Sequence, residues 1–250
     1  MPKIPVALQL YSVRNEMAED VPGTLKAVAQ MGYEGVDFAG YHDTSAQDLR
    51  AMLDDLGLRM GGTHLQLDKL LGDELQRTIE FEQILGNPYL VVASVPEHRR
   101  ASRDTWLETC ELLNGVADTL GPLGMYTGYH NHGWEFQQQF DGDYAWDIVA
   151  ENTVDDVIMQ LDTGNAMSGG GDPVELLERY PGRGRTVHLK DWSADKPGQI
   201  VLGEGDSDWD SIFALCESGG TEWYIIEQVS KNHAPLDCVA LSLENLREMG

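Results

Sequence analysis

The stretch Tyr129-His130-Asn131-His132-Gly133-Trp134-Glu135-Phe136 places two imidazoles and a carboxylate within six residues, directly after the apolar run Met125–Tyr129. Alternate side chains of a strand share a face, so His130 and His132 are expected to point the same way. Neutral imidazole and carboxylate together suit a divalent ion such as Zn, Mn, Fe or Co. Paired histidines near a strand end are as often hydrogen-bonded structural residues. The metal reading therefore depends on whether other strands end in the same chemistry.

The elements that would position these residues alternate along the whole chain as short β-rich runs and helical segments. Strands are predicted over Val6–Tyr11, Tyr33–Phe38, Leu58–His64, Tyr89–Ser94, Met125–His130, Val157–Asp162, Arg185–Leu189 and Trp223–Glu227. Helices are predicted over Pro22–Met31, from an N-cap at Thr44 to Leu56, and over Asp73–Leu85, Arg103–Leu120, Ala145–Glu151, Pro173–Tyr180, Asp208–Glu217 and Leu236–Met249. Eight such alternations in 250 residues predict an α/β fold, a (β/α)8 TIM barrel forming a single domain over residues 1–250. A doubly wound open sheet is the competitor, but no Gly-rich turn follows the first strand.

In a barrel of this kind the C-terminal strand ends form the reactive face. Here they read Gln9 to Arg14, Asp37, His64, Ser94, His130-Asn131-His132, Asp162-Thr163-Gly164-Asn165, His188-Leu189-Lys190-Asp191 and Glu227-Gln228. Burying a carboxylate or imidazole without a partner costs several kcal/mol, on the order of a whole domain's margin. Asp162, His188 and Glu227 end three consecutive predicted strands, with His130 on the strand before. One divalent ion is their simplest common partner; a metal-free hydrogen-bond network is the alternative.

Four motifs, Leu10-Tyr11-Ser12-Val13-Arg14, Tyr129 to Phe136, Leu161-Asp162-Thr163-Gly164-Asn165 and Val187-His188-Leu189-Lys190-Asp191, carry a family likeness. With them the chain resembles, from about Ala7 to its C-terminus, the xylose-isomerase-like barrels of sugar (phosphate) isomerases and epimerases. The resemblance implies a metal held by Glu, Asp, His and Glu from strands five to eight. Asp162, His188 and Glu227 match the last three positions. His130 stands where many members carry Glu, and Glu135 is the other candidate for that fourth ligand.

A metal with mixed ligands and open positions would chelate adjacent carbonyl and hydroxyl oxygens of a sugar and stabilise an enediolate. Its identity, Mn, Zn, Co, Mg or Fe, stays open. Glu227 or Glu135 would be the base, and His132 would return a proton on the other face. Epimerisation, aldose–ketose isomerisation and β-elimination, as in an inosose dehydratase or a 3-keto-glycoside lyase, differ in where the proton goes. Lys190, two residues beyond His188, would place a cation near the developing charge; the plainer reading is a surface lysine.

Gln9, Tyr11, Arg14, His64 and Trp192 are the expected substrate contacts. Arg14 would clamp an oxygen or acid group, or pair with a surface carboxylate. Trp134 and Trp192 would stack on a sugar face or pack at the rim. Gly203-Glu204-Gly205 resembles a loop closing over substrate. One Arg and one Lys near the motifs make no phosphate site, which favours an unphosphorylated sugar, cyclitol or oxidised sugar.

The charge sets further bounds. Asp and Glu number 42 against 17 Lys plus Arg, a formal net charge of −25. Such a field repels nucleic acid, which argues against an abasic-site endonuclease. A metal-free sugar-binding protein is the reading from a third class. The acid excess with only six lysines suggests a salt-rich, halophilic cytoplasm, the alternative being an ordinary acidic enzyme. No apolar run is long enough for a membrane span, and Met1-Pro2-Lys3-Ile4 shows no signal-peptide pattern. Cys110, Cys216 and Cys238 read as reduced thiols of a cytoplasmic protein, and a homodimer is the default assembly.

Overall fold

The computed structural model describes residues 3–249; Met1, Pro2 and Gly250, at the limits expected for the domain and the leader reading, lie outside it. Eight strands form one parallel sheet: β1 (Val6–Gln9), β2 (Gly35–Phe38), β3 (Arg59–Gln66), β4 (Tyr89–Ser94), β5 (Tyr126–His130), β6 (Ile158–Gln160), β7 (Thr186–Leu189) and β8 (Trp223–Ile226). Their order is β6-β5-β4-β3-β2-β1-β8-β7. A parallel bridge between Asp162 and His188, with the His188 N–H on the Leu161 carbonyl at 2.8 Å, brings the two edges together. The fold is the TIM barrel expected.

The pleat decides what faces inward. Ala7, Tyr89, Ile158, Trp223 and Ile225 form an apolar plug at the base of the barrel. Small residues make room for it: a Cβ on Gly35 would lie 2.8 Å from the Trp223 ring, and one on Gly61 2.7 Å from Ala7. Two residues further along each strand, the same inward parity reaches Gln9, Asp37, His130, Gln160, His188 and Glu227. The opposite parity, including Leu8, Val36, Val187 and Ile226, or Leu90, Val92, Tyr129 and Met159, packs against the helices. Apolar base and polar mouth thus follow from one alternating pattern.

The helices around the barrel are α1 (Arg14–Glu19), α2 (Val21–Met31), α3 (Ala46–Leu56), α4 (Gly72–Leu85), α5 (Arg103–Leu120), α6 (Ala145–Asn152), α7 (Thr163–Gly169), α8 (Pro173–Arg179), α9 (Trp209–Ser218) and α10 (Pro235–Met249). Several boundaries correct the sequence reading. β1 stops at Gln9, because its side chain accepts the Tyr11 N–H at 3.0 Å and caps a 3-10 turn over Leu10–Val13. β3 continues two residues past His64. Ser45, not Thr44, caps α3: its hydroxyl accepts the Asp48 N–H, while the Thr44 hydroxyl turns back to the His42 carbonyl. β6 ends early because Asp162 leaves the strand to cap α7, a helix too short to show periodicity. Cys110, Cys216 and Cys238 are buried and unpaired.

Candidate metal centre and cleft

His130 ends β5, Asp162 follows β6, His188 sits within β7 and Glu227 follows β8. Each offers one ligand atom within 4.8 Å of all the others. All but Glu227 are buried, and its side chain is only 12% exposed. The structure therefore gathers the four residues named as ligands. It also supplies the partners that orient them. Gln160, two residues before Asp162, accepts from His130 Nδ1 at 3.1 Å and His64 Nε2 at 2.7 Å, while its amide donates to the Thr186 hydroxyl. With the proton on Nδ1, the Nε2 lone pair of His130 is free to bind a cation.

His188 bridges two carboxylates: Nδ1 lies 3.1 Å from Glu227 Oε2, and Nε2 lies 3.0 Å from Asp37 Oδ2 on β2. Burial disfavours its charge, but hydrogen bonds to Asp37 and Glu227 raise it to about 9. Burial likewise opposes ionisation of Glu227, yet Lys190 and then His188 hold it well below the usual carboxylate range. Lys190 Nζ stands 2.9 Å from Glu227 Oε1 and 3.6 Å from Asp162 Oδ2. Burial raises Asp162 to about 6, against the pull of Lys190. Burial also lowers His130 well below its ordinary value and His132 to about 4, so both are neutral at pH 7.

This donor set fits a divalent ion on two counts. Asp162 Oδ2 is buried without a hydrogen-bond partner, and its nearest cation, Lys190 Nζ, stands 3.6 Å away, which leaves an oxygen able to take a direct ligand bond. Moreover, three carboxylates line the centre: Asp162 and Glu227 beside Lys190, and Asp37 beside His188. His188 carries a proton at pH 7 here, and an ion that displaced it would meet two net negative charges, the charge of one divalent ion.

Local chemistry explains the approach of α7. Asp162 Oδ1 accepts the Asn165 N–H at 2.7 Å, and Asn131 ties the turn by accepting the Asp162 N–H and donating to its carbonyl. Gly164 in the first turn is needed for contact with β7: a Cβ there would lie 2.9 Å from both the Lys190 Cγ and its carbonyl oxygen.

Glu135 is not among the gathered ligands. Its carboxylate turns behind the strand, accepting the Tyr129 hydroxyl at 2.6 Å and the His132 N–H at 2.8 Å. It is fully buried, and burial raises it to about 7. Both oxygens are thus committed to bracing the turn that presents the two histidines. His132 lines the cleft and stacks on Trp134 at 4.0 Å, with Arg100 over the other ring at 4.4 Å.

A cleft of about 710 Å³ opens at this mouth. His64 and Tyr11 line it, as expected of substrate contacts, together with His130, His132 and Glu227. Three expected contacts are not among its lining residues. Gln9 spends its oxygen on the Tyr11 turn. Arg14 begins α1, donates to the Tyr11 carbonyl at 3.1 Å and packs on the Tyr11 ring, which aims it at a different, smaller pocket. Trp192 lines a separate cleft with Asp172 and Asp206. The Gly203-Glu204-Gly205 loop is tied down rather than poised to close: the Asp191 carboxylate accepts from Gly203 N, Gly205 N and Ser207 Oγ within 2.9 Å.

Sequence reasoning left Asp37 and Gln160 without a role. Gln160 had a usable signal, since it precedes Asp162 at strand spacing. Asp37 meets a partner 151 residues away, which no local spacing reveals. Among the described residues, no helix is long and apolar enough to cross a membrane.

Comparison with known proteins agrees with this architecture. The inosose dehydratase of Geobacillus kaustophilus (strain HTA426) is 27% identical over 84% of this chain and 83% of its own length. That of Clostridium perfringens (strain ATCC 13124) is 26% identical over 59% of this chain, which spans a little over half, 56%, of that relative. Among solved structures, a sugar phosphate isomerase/epimerase from Parabacteroides distasonis ATCC 8503 superposes with a TM-score of 0.83 at 26% identity, covering 99% of this chain and 94% of that one. An AP endonuclease, family 2, from Brucella melitensis shares the fold at TM-score 0.72 and 19% identity, over 96% of this chain and 98% of that one. The model of the xylose isomerase-like TIM barrel family matches residues 25–249, and with that match the chain belongs to this family.

Proposed function

We propose that the protein is a divalent-metal enzyme that removes the proton next to the carbonyl of a keto sugar or keto cyclitol. The observation that carries this is the cluster His130, Asp162, His188 and Glu227, two imidazoles and two carboxylates gathered within ligand distance at the end of an open cleft. A divalent ion (Mn, Zn, Co, Mg or Fe) held there would supply Lewis-acid polarisation of the substrate carbonyl. Glu227, kept ionised by Lys190 and His188, takes the proton. Lys190 keeps a positive charge beside that carboxylate, and His64 lines the wall from which the substrate is reached.

Elimination is the outcome this arrangement supports best. Glu227 accepts the proton from carbon, the carbon–carbon double bond forms as the β carbon–oxygen bond breaks, and the departing hydroxyl takes that proton back from Glu227 to leave as water, while Lys190 keeps its charge beside them. Epimerisation by inversion needs a proton donor on the opposite face of the carbon. Glu135 faces away, and His132 is neutral at pH 7. The relatives named inosose dehydratase point the same way. Isomerisation or epimerisation remains the second reading, favoured by the Parabacteroides likeness and by His132 lining the cleft.

The test is incubation with ketoses, inososes and 3-keto-glycosides in D2O, with added metal. Deuterium entering recovered substrate reports proton abstraction, deuterium in an epimer or isomer reports isomerase chemistry, and a product lighter by one water reports elimination. Asp162→Asn and Glu227→Gln should each lose at least about a hundredfold in rate and their bound metal, with the fold kept. Full turnover in either variant, or in metal-stripped protein, sinks the assignment.

A further inference from the structure

The cleft is larger than its reactive end requires. His130, His132 and Glu227 occupy one end of the roughly 710 Å³, while its far wall comes from α4 and the turn before it: Lys69, Glu74, Arg77, Thr78 and Phe81. Pockets that bury a multi-ring ligand run to several hundred Å³, about 300–1,000. One six-membered ring held at Glu227 leaves the α4 half uncovered.

The walls of that half have a definite chemistry. The Tyr41 and Phe81 rings stack on each other at 4.4 Å and 34°, so the pair gives the cleft wall an aromatic platform one ring face wide, with the ring edges beside it. The platform is built rigidly. The Tyr41 hydroxyl bonds to Thr63 Oγ1 at 2.8 Å and to Glu82, whose second oxygen accepts from Asn87 at 2.8 Å. Glu82 is fully buried, so a carboxylate and two neutral partners are committed to holding one ring in place. Beyond the platform stand Lys69, Glu74 and Arg77. Both cations are already paired with Glu74, so the rim offers ionised hydrogen-bonding groups with little spare positive charge. A phosphate would have to displace Glu74. A neutral ring with an apolar C–H face and peripheral hydroxyls meets both surfaces at once.

Resting on the proton-abstraction reading for the inner end, we propose that the α4 half of the cleft is a subsite for a second sugar ring, so that the natural substrate is a two-ring glycoside. The inner ring bears the carbonyl at Glu227. The outer ring lies on Tyr41 and Phe81 with its hydroxyls toward Gln66, Glu74 and Arg77.

Binding tests this without requiring turnover. Calorimetry on the metal-loaded protein would compare cellobiose, maltose, sucrose and trehalose with glucose and myo-inositol. At least one disaccharide should bind about tenfold or more tighter than either single ring. Thr78→Trp, which fills the outer half from the cleft side of α4, and Phe81→Ala, which removes the platform, should each erase most of that advantage. Disaccharides that bind no better than glucose overturn the subsite, as does an advantage unaltered in both variants when melting curves show them folded. These sugars carry no ketone next to an acidic carbon, so a failed D2O exchange leaves this result interpretable, and the converse holds too.

Discussion

Asp37 grips the Nε2 side of His188 while Glu227 faces its Nδ1 side. In a metal-loaded centre such a carboxylate fixes which imidazole nitrogen carries the proton and raises the basicity of the other. Asp37 is fully buried, and Gly62 beside it leaves room for its carboxylate, since a Cβ there would lie 3.3 Å from Oδ1. Asp37→Asn keeps the shape but weakens the acceptor. The expected result is metal affinity lower by about 10- to 100-fold, and a lower melting temperature of the metal-free protein, which loses the carboxylate that holds the His188 proton. Competition against a fluorescent chelator measures the first and calorimetry the second; unchanged affinity removes Asp37 from the centre. His130, Asp162, His188 and Glu227 were readable in the sequence because each follows an apolar run at strand spacing. Glu135 misled for the same reason: it is near in sequence, but a turn after β5 swings its carboxylate toward Tyr129 instead of the barrel axis.

At the scale of elements, the repeated strand–helix rhythm was legible because amphipathic helices and apolar strands have different periods. What escaped were pieces too short to have a period, α1 and α7, and these aim Arg14 and Asp162. The helix α4 was seen but not its task, since Glu82 reads as one more polar residue on a helix and its partner Tyr41 belongs to the loop after β2. That pairing makes the α4 packing sensitive to pH. Burial pushes Glu82 up to about 7, against the hydrogen bonds from Tyr41 and Asn87 that favour its ionised form. Between its unfolded value, about 4.3, and 7 the folded protein holds the extra proton, so stability contributed here falls as pH rises through that window and is fully lost above it. Glu82→Gln cannot ionise and escapes the penalty. Relative to the parent, the variant should gain stability between pH 5 and pH 8, by up to roughly 3 kcal/mol at the upper end. Guanidinium unfolding at the two pH values measures it, and a difference that does not move with pH shows that Glu82 ionises freely in the fold.

For the molecule as a whole, 42 acidic side chains share 17 lysines and arginines, so even perfect one-to-one pairing leaves 25 carboxylates unmatched. Part of the pairing is local and at the surface: Arg50 with Asp54, Arg77 with Glu74 and Arg179 with Glu175 lie within a helical turn of each other. Exposed pairs of this kind contribute at most about 1 kcal/mol, too little to offset repulsion summed over the surface. Salt should supply what pairing does not. Raising the ionic strength from 0.1 to 1 M shortens the screening length from about 10 to about 3 Å, below typical distances between neighbouring surface charges. The buried centre is less accessible to ions, so the gain should come from the surface and leave metal affinity comparatively steady. The expectation is a melting temperature that climbs by at least about 5 °C over that range, equivalent to roughly 1–2 kcal/mol for a chain of this size. Sodium chloride and potassium chloride should act alike, because screening depends on ionic strength, whereas sucrose at matched osmolality should do less. A melting temperature indifferent to salt would mean that the carboxylates are spaced widely enough to ignore one another, and the salt-rich habitat suggested by the composition would lose its physical basis.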